Sequence, residues 1–291
     1  MRWMPQWWML SAKLDFAAQG AKSLRMTYES ILMVGCGNMA GAMLEGWLAG
    51  GVPASTFTVM DPKRESLPGN IRVQRELPTG GTFDAILLGV KPQMLGDVAP
   101  QLQPLVGPQT TILSILAGVQ LDTLEKNFPD AGANVRVMPN LAVSLGKAPV
   151  ALAEAGLDDA GRDDLYQFMG HLGTPSWVGE DRFDLVTALA GSGPGFVYRF
   201  IDALKVAAVR LGLDDKQATE LAIAMTEGAS ALASQSEHDP GKLADMVASP
   251  GGVTRKGLDV LDEDEAMTQL MTKCLRAARD RSVEMSREAR E

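Results

Sequence analysis

The sequence predicts two units in order, an α/β domain on a parallel sheet and then an all-α domain. Three observations carry this. Short apolar runs alternate with helix-length segments between Ser30 and Trp177, the pattern of right-handed βαβ units. After Trp177 the strand signal stops, and apolar residues recur at helical spacing instead. A glycine-rich turn joins the first strand to the first helix, the context in which such a turn can hold a dinucleotide.

The elements follow in order. "SILMVG" (30–35) is an apolar run ended by glycine and predicts a buried strand. "NMAGAMLEGWLAGG" (38–51) predicts a helix with a glycine stop. "FTVMD" (57–61) is a second strand, "IRVQ" (71–74) a short third and "DAILLGV" (84–90) a fourth. "TTILSILAG" (110–118) and "NVRVMPN" (134–140) are further strands, with helices expected over 93–105 and 121–127. "APVALAE" (148–154) and "PSWVG" (175–179) extend the same sheet around a helix at 159–171. Beyond it, 182–213 reads as helix on both sides of a Gly-Ser-Gly-Pro-Gly break at 191–195, with Phe196, Phe200, Leu204, Ala207 and Leu211 at helical spacing. Asp214 with Gln217 forms a cap, and Asp239-Pro240 starts another helix. From about Asp264 a long amphipathic helix places Met267, Leu270, Met271, Cys274 and Ala278 on one face.

The first 28 residues stand apart. They hold three of the five tryptophans and four Lys or Arg against one Asp. Without a long apolar core or a small-residue cleavage pattern, they predict a mobile extension rather than a targeting signal. The expected division is 1–28 extension, 29–179 dinucleotide-binding domain and 180–291 helical domain. A chain of 291 residues, 46% hydrophobic and 22% charged, has the bulk for two cores. Its net charge of −9 argues against nucleic acid or an anionic membrane as a partner. Two cysteines and two histidines, Cys36, Cys274, His171 and His238, form no metal-binding spacing. They fit a reducing, cytoplasmic setting with no metal.

"VGCGNMA" places Val34, Gly35, Cys36, Gly37, Asn38, Met39 and Ala40 at the strand–helix turn. Gly35 permits the tight turn, Gly37 admits a pyrophosphate and Ala40 allows close helix–strand packing. The helix start then offers free N–H groups to phosphates. Asp61 ends the second strand about 20 residues on, where an acid can take ribose hydroxyls and favour NADH. Lys63 and Arg64 follow at once, and cations there suit the extra phosphate of NADPH. The alternative is that Asp61-Pro62 simply begins a turn. Val90, Lys91 and Pro92 close the fourth strand, and Leu116 and Ala117 the fifth, on the edge where doubly wound sheets bind ligands.

Together "VGCGNMA", "GVKPQ", "RVMPN", "LAGSGPGFVYRFIDAL" and "SEHDPGKLADMVASPGGVT" resemble pyrroline-5-carboxylate reductase, from about Ile31 to the C-terminal helix. The chain departs from the family at "MPNLAV", where a Thr-Pro often follows the Asn, and at "GPGF", where Gly-Pro-Ala-Tyr is common. The resemblance implies an α/β Rossmann-type dinucleotide-binding domain followed by an all-α dimerisation domain. It implies NAD(P)H-dependent reduction of 1-pyrroline-5-carboxylate to L-proline, with a homodimer, or a higher homo-oligomer, as the assembly; Lys63 and Arg64 after Asp61 make NADPH the expected cofactor and NADH the alternative. Such a site needs an anchor for a small carboxylate and a hydrogen bond to the imine nitrogen as charge arrives on it. "SPGGVT" fits both needs. Ser249, Gly251, Gly252 and Val253 bring a hydroxyl and bare N–H groups to a helix start. Thr254 is the candidate donor to the ring nitrogen, and Glu237 matches the acid of the family block. The plainer alternatives are a turn at 249–251, a helix cap at Thr254 and a loop acid at Glu237. Two rival functions differ in class: another Rossmann-plus-helical reductase, of imine or β-hydroxyacid type, for which Lys205 would be the acid, and an NADP-sensing protein without turnover.

Overall fold

The computed structural model describes residues 28–71 and 73–288. The tryptophan-rich segment 1–27 lies outside the described residues. Tyr28, assigned by sequence to the mobile extension, belongs to the core instead: it is 4% exposed and its ring lies 5.3 Å from that of Phe168.

Eight strands form one sheet: β1 (Ile31–Val34), β2 (Phe57–Met60), β3 (Val73–Gln74), β4 (Ala85–Leu88), β5 (Thr111–Ser114), β6 (Ala133–Met138), β7 (Ala148–Ala155) and β8 (Gly173–Trp177), in the order β3-β2-β1-β4-β5-β6-β7-β8. Strands β1 to β6 run parallel, with Ile31 beside both Phe57 and Ala85. Both faces are covered, as a parallel sheet requires. In β1, Ile31 and Met33 join the core under helices α1 (Asn38–Ala49) and α4 (Asp159–Gly170), while Leu32 and Val34 join that under α2 (Leu95–Leu102) and α3 (Leu121–Asn127). Trp47 anchors the first core, stacked between Phe57 and Phe168.

One expectation is corrected. The sheet is not wholly parallel, because β7 runs antiparallel to β6 and β8 follows β7. Between β6 and β7 lies only a short segment with a 3₁₀ turn at Leu141–Leu145. That is too little chain for the crossover a parallel neighbour needs, so the strand doubles back.

After β8 the chain is helical: α5 (Phe183–Val186), a π-turn at Thr187–Gly191, α6 (Gly193–Arg210), α7 (Asp215–Gln235), α8 (Pro240–Met246), α9 (Val253–Asp262) and α10 (Ala266–Glu288). The glycine-rich break read from sequence is therefore a widened turn within a nearly continuous rod. The Asp214 carboxylate accepts from the N–H groups of Lys216 and Gln217, and that of Asp239 from Lys242 N–H, as the cap patterns predict. In a single chain, α6, α8 and α9 bury none of their residues. Tyr198, Leu232 and Val253 are 68%, 71% and 94% exposed. Apolar surface on this scale marks a face that another protein covers. Among the described residues, no helix is long and apolar enough to cross a membrane.

Candidate active site

The parallel strands bring the predicted cofactor residues to one edge, the carboxyl ends of β1, β2, β4 and β5, with the strand order reversing between β1 and β4. Gly35 there has φ +83°, and a Cβ on it would stand 2.9 Å from the Gly89 carbonyl carbon. In turn, a Cβ on Gly89 would meet Gly35 O and lie 3.0 Å from Ala40 Cβ. Small residues at 35, 40 and 89 let β1, β4 and α1 close together. Gly37 is different: nothing lies within 4 Å of where its Cβ would be, and it begins α1 with no side-chain cap. The first N–H groups of α1 are thus available for a diphosphate, which is the fit a dinucleotide needs. Val34 and Cys36 are buried beneath this turn, Asn38 is exposed and Met39 half-buried. Burial pushes the Cys36 thiol up, which keeps it protonated and unreactive.

Asp61 turns its carboxylate into the loop. Oδ2 accepts from Cys36 N–H at 2.7 Å, and Oδ1 from the N–H groups of Lys63 and Arg64 at 2.8 and 3.3 Å. Partial burial works to raise its pKa, but the three N–H donors and the Arg64 charge outweigh this and hold the carboxyl below its ordinary range. Arg64 returns the link, donating from Nε to Cys36 O at 2.8 Å, and its Nη2 covers Gly41. Lys63 stays exposed.

Val90 and Pro92 are half-buried and Lys91 exposed, with Pro92 opening a 3₁₀ turn into α2. Leu116 points into the core, so only its backbone faces the edge, whereas Ala117 is exposed. Gly118 has φ +78° and rests against Met285 near the end of α10. A cavity of about 720 Å³ lies beside these loops, between Pro92, Gln93, Ala117, Thr123 and Met285.

The predicted substrate residues are on the helical unit and not at this edge. Glu237 is exposed between α7 and α8, Ser249 and Gly251 are exposed between α8 and α9, and Val253 and Thr254 are exposed at the start of α9. Gly251 has φ +70°, Gly252 N–H donates to Ser249 O at 2.9 Å, and the Ser249 hydroxyl occupies the place a Cβ on Gly252 would take. The left-handed φ makes glycine the fitting residue at 251, and at 252 a side chain would press on Ser249. The N-cap of α9 is Gly252, so Thr254 lies inside the first turn and its hydroxyl is not the cap. Helix α9 packs on α10. Sequence reasoning missed Arg255, whose guanidinium reaches Asp245, Asp259 and Asp262 at 3.6, 2.8 and 2.7 Å and ties α8 to α9. The signal was present in "RKGLDVLD" as acids four and seven residues on.

Lys205, the acid of the rival reductase reading, has its Nζ 3.2 Å from Asp215 Oδ1, joining α6 to α7. Three further residues assigned no role from sequence, Arg136, Asn140 and Glu180, connect the sheet to the helical unit. Arg136 is 3% exposed and bonded to Glu180 at 2.7 Å.

Residues 180–285 match the family model described as pyrroline-5-carboxylate reductase dimerisation. The pyrroline-5-carboxylate reductase of Methanosarcina acetivorans is 31% identical over 272 residues, covering 90% of this chain and all of that protein. Pyrroline-5-carboxylate reductase 2 of Bacillus subtilis is also 31% identical, over 88% of this chain and 95% of that protein. Among solved structures, a pyrroline-5-carboxylate reductase from Coxiella burnetii superposes with a TM-score of 0.80 at 28% identity, over 89% of this chain and 99% of the other. The Plasmodium falciparum pyrroline carboxylate reductase with NADP bound shares the fold, with a TM-score of 0.74 at 22% identity, over 90% of this chain and 99% of the other. Relatives aligned over their full length, together with a dinucleotide cradle and a matching helical unit, give one conclusion: the chain belongs to the pyrroline-5-carboxylate reductase family.

Proposed function

We propose that this chain reduces 1-pyrroline-5-carboxylate to L-proline with NADPH. The observation that carries the reading is the pairing of an open, uncapped α1 start at Gly37 with the Ser249–Thr254 turn on the helical unit. The nicotinamide cofactor supplies a hydride to the C=N carbon, and a proton reaches the ring nitrogen, giving the amine. The Gly35–Ala40 turn holds the diphosphate. Asp61 is occupied by the loop backbone, which leaves Lys63 and Arg64 as the polar groups facing the adenosine end and favours the 2′-phosphate of NADPH. The Gly251 N–H, the first N–H groups of α9 at Val253 and Thr254, and the Ser249 hydroxyl receive the substrate carboxylate, while the Gly252 N–H holds the turn through Ser249 O. Thr254 donates a hydrogen bond to the ring nitrogen, strengthening as charge develops there, and Glu237 orders the water or amine beside it.

In one chain this turn packs within the helical unit while the cofactor edge lies on the sheet. The exposed apolar helices supply the reason. A homodimer formed through them sets one copy's turn against the other copy's cofactor edge. The direct test is NADPH and NADH oxidation by the purified chain with 1-pyrroline-5-carboxylate. Substrate-dependent oxidation with the lower Michaelis constant for NADPH is expected. No oxidation with either nucleotide overturns the activity, and equal constants overturn the phosphate role of Lys63 and Arg64.

A further inference from the structure

Strand β6 (Ala133–Met138) and the residues just past it hold the helical unit against the sheet through alternate side chains. Along β6 and its exit, Arg136, Met138 and Asn140 recur with period two, the spacing of one strand face, and each meets the helical unit. Arg136 bonds Glu180 at 2.7 Å, and its guanidinium lies 4.0 Å from the centre of the Phe183 ring. Met138 Sδ stands 3.3 Å from where a Cβ on Gly191 would be. Asn140, 5% exposed, uses both ends of its amide. Oδ1 accepts from Ala142 N–H at 2.9 Å, and Nδ2 donates to Ala190 O at 2.9 Å. Ala190 belongs to the π-turn, a distortion that persists where something makes use of it. One buried amide therefore ties the exit of β6, on the ligand-binding edge of the sheet, to the turn that aims α6.

We propose that Asn140 is a positioning residue for hydride transfer, holding the helical unit in fixed register against the cofactor edge. The inference rests on reading the chain as a pyrroline-5-carboxylate reductase. Transfer between two bound carbons needs near-contact geometry, and a misplacement of about 1 Å can cost on the order of 10²-fold in rate. Removing the amide leaves the Ala190 carbonyl buried without its donor and frees the two elements to slide.

The test uses the full chain in single turnover with NADPH, unlabelled or deuterated at the transferred hydrogen, beside NADPH binding by fluorescence. The wild-type arm reports the enzymatic reading itself, and the variants report the positioning role. Asn140→Ala should bind NADPH within about twofold of wild type, yet transfer hydride on the order of 10²-fold more slowly with a full isotope effect. Asn140→Asp keeps the acceptor for Ala142 but turns an oxygen toward the Ala190 carbonyl. Burial raises its carboxyl pKa, so its rate relative to wild type should recover as pH is lowered from roughly 8 to 5.5 and the acid regains a proton to donate. Transfer rates for both variants within about twofold of wild type would overturn the proposal. Should both variants fail to fold, Gly191→Ala decides, since it wedges a methyl against Met138 without touching Asn140. Slowed transfer with normal NADPH binding is expected of it, and unchanged transfer overturns the proposal.

Discussion

At the scale of single residues, Asp61 and Thr254 make opposite claims. Asp61 acts on the backbone: its carboxylate accepts from the N–H groups of Cys36, Lys63 and Arg64. Its folded pKa is depressed, so its stabilisation is present above the unfolded value of about 3.9 and is lost as pH falls through the lower folded one. Asp61→Asn should therefore melt below wild type at neutral pH, and the gap should close as pH drops below about 4. Melting curves across that range check this, and a gap independent of pH would contradict it. Thr254 is proposed to act on the reaction. It is exposed and is not the cap of α9, so Thr254→Ala should leave stability within about 0.5 kcal/mol. Loss of a donor used in the transition state should cost about 3 kcal/mol, roughly two decades in turnover. Thr254→Ser should retain most of the rate. Turnover at saturating substrate, read beside melting temperature, separates the two effects.

At the scale of elements, helices and parallel strands were legible because each carries its own signal. The apolar run of β1, the glycine stop of α1 and the Asp214 and Asp239 caps each act within a few residues of themselves. The reversal at β7 was not legible, because "APVALAE" reads the same in either direction and only the short link before it decides. The π-turn was hidden in the same way. Its glycines signal a break, but the wide turn is met by Met138 at the end of β6 and Asn140 just past it, both distant in sequence. The contact of α10 with the loop after β5 was equally invisible, since it depends on Gly118 meeting Met285. A Cβ on Gly118 would lie 2.9 Å from Met285 backbone, at a φ of +78°. Gly118→Ala should destabilise the chain by about 1–2 kcal/mol from the left-handed conformation alone, and by more if α10 cannot retreat. Thermal or urea unfolding measures it. A neutral substitution would mean that α10 does not hold this seat in solution.

At the scale of the whole molecule, the geometry of the candidate cofactor turn was readable because Gly35, Gly37 and Ala40 are neighbours in sequence and shape one strand–helix turn. The turn proposed to take substrate was readable as a block, "SPGGVT", but its place was not, since a single chain does not set that turn against its own cofactor edge. Burial explains why: α6, α8 and α9 are incomplete without another copy. The central claim, a reductase whose site is completed between two copies, is tested most directly by mixing two inactive variants. Gly37→Asp places a carboxylate in the open space at the start of α1, where the account puts the diphosphate, and should disable the cofactor edge. Thr254→Ala disables the substrate turn. The two are unfolded and refolded together, and pyrroline-5-carboxylate-dependent NADPH oxidation is measured. If each site joins one copy's cofactor edge to the other copy's turn, a hybrid dimer carries one intact site. Random pairing should then restore about a quarter of wild-type activity. A mixture no more active than the two variants apart would contradict the account.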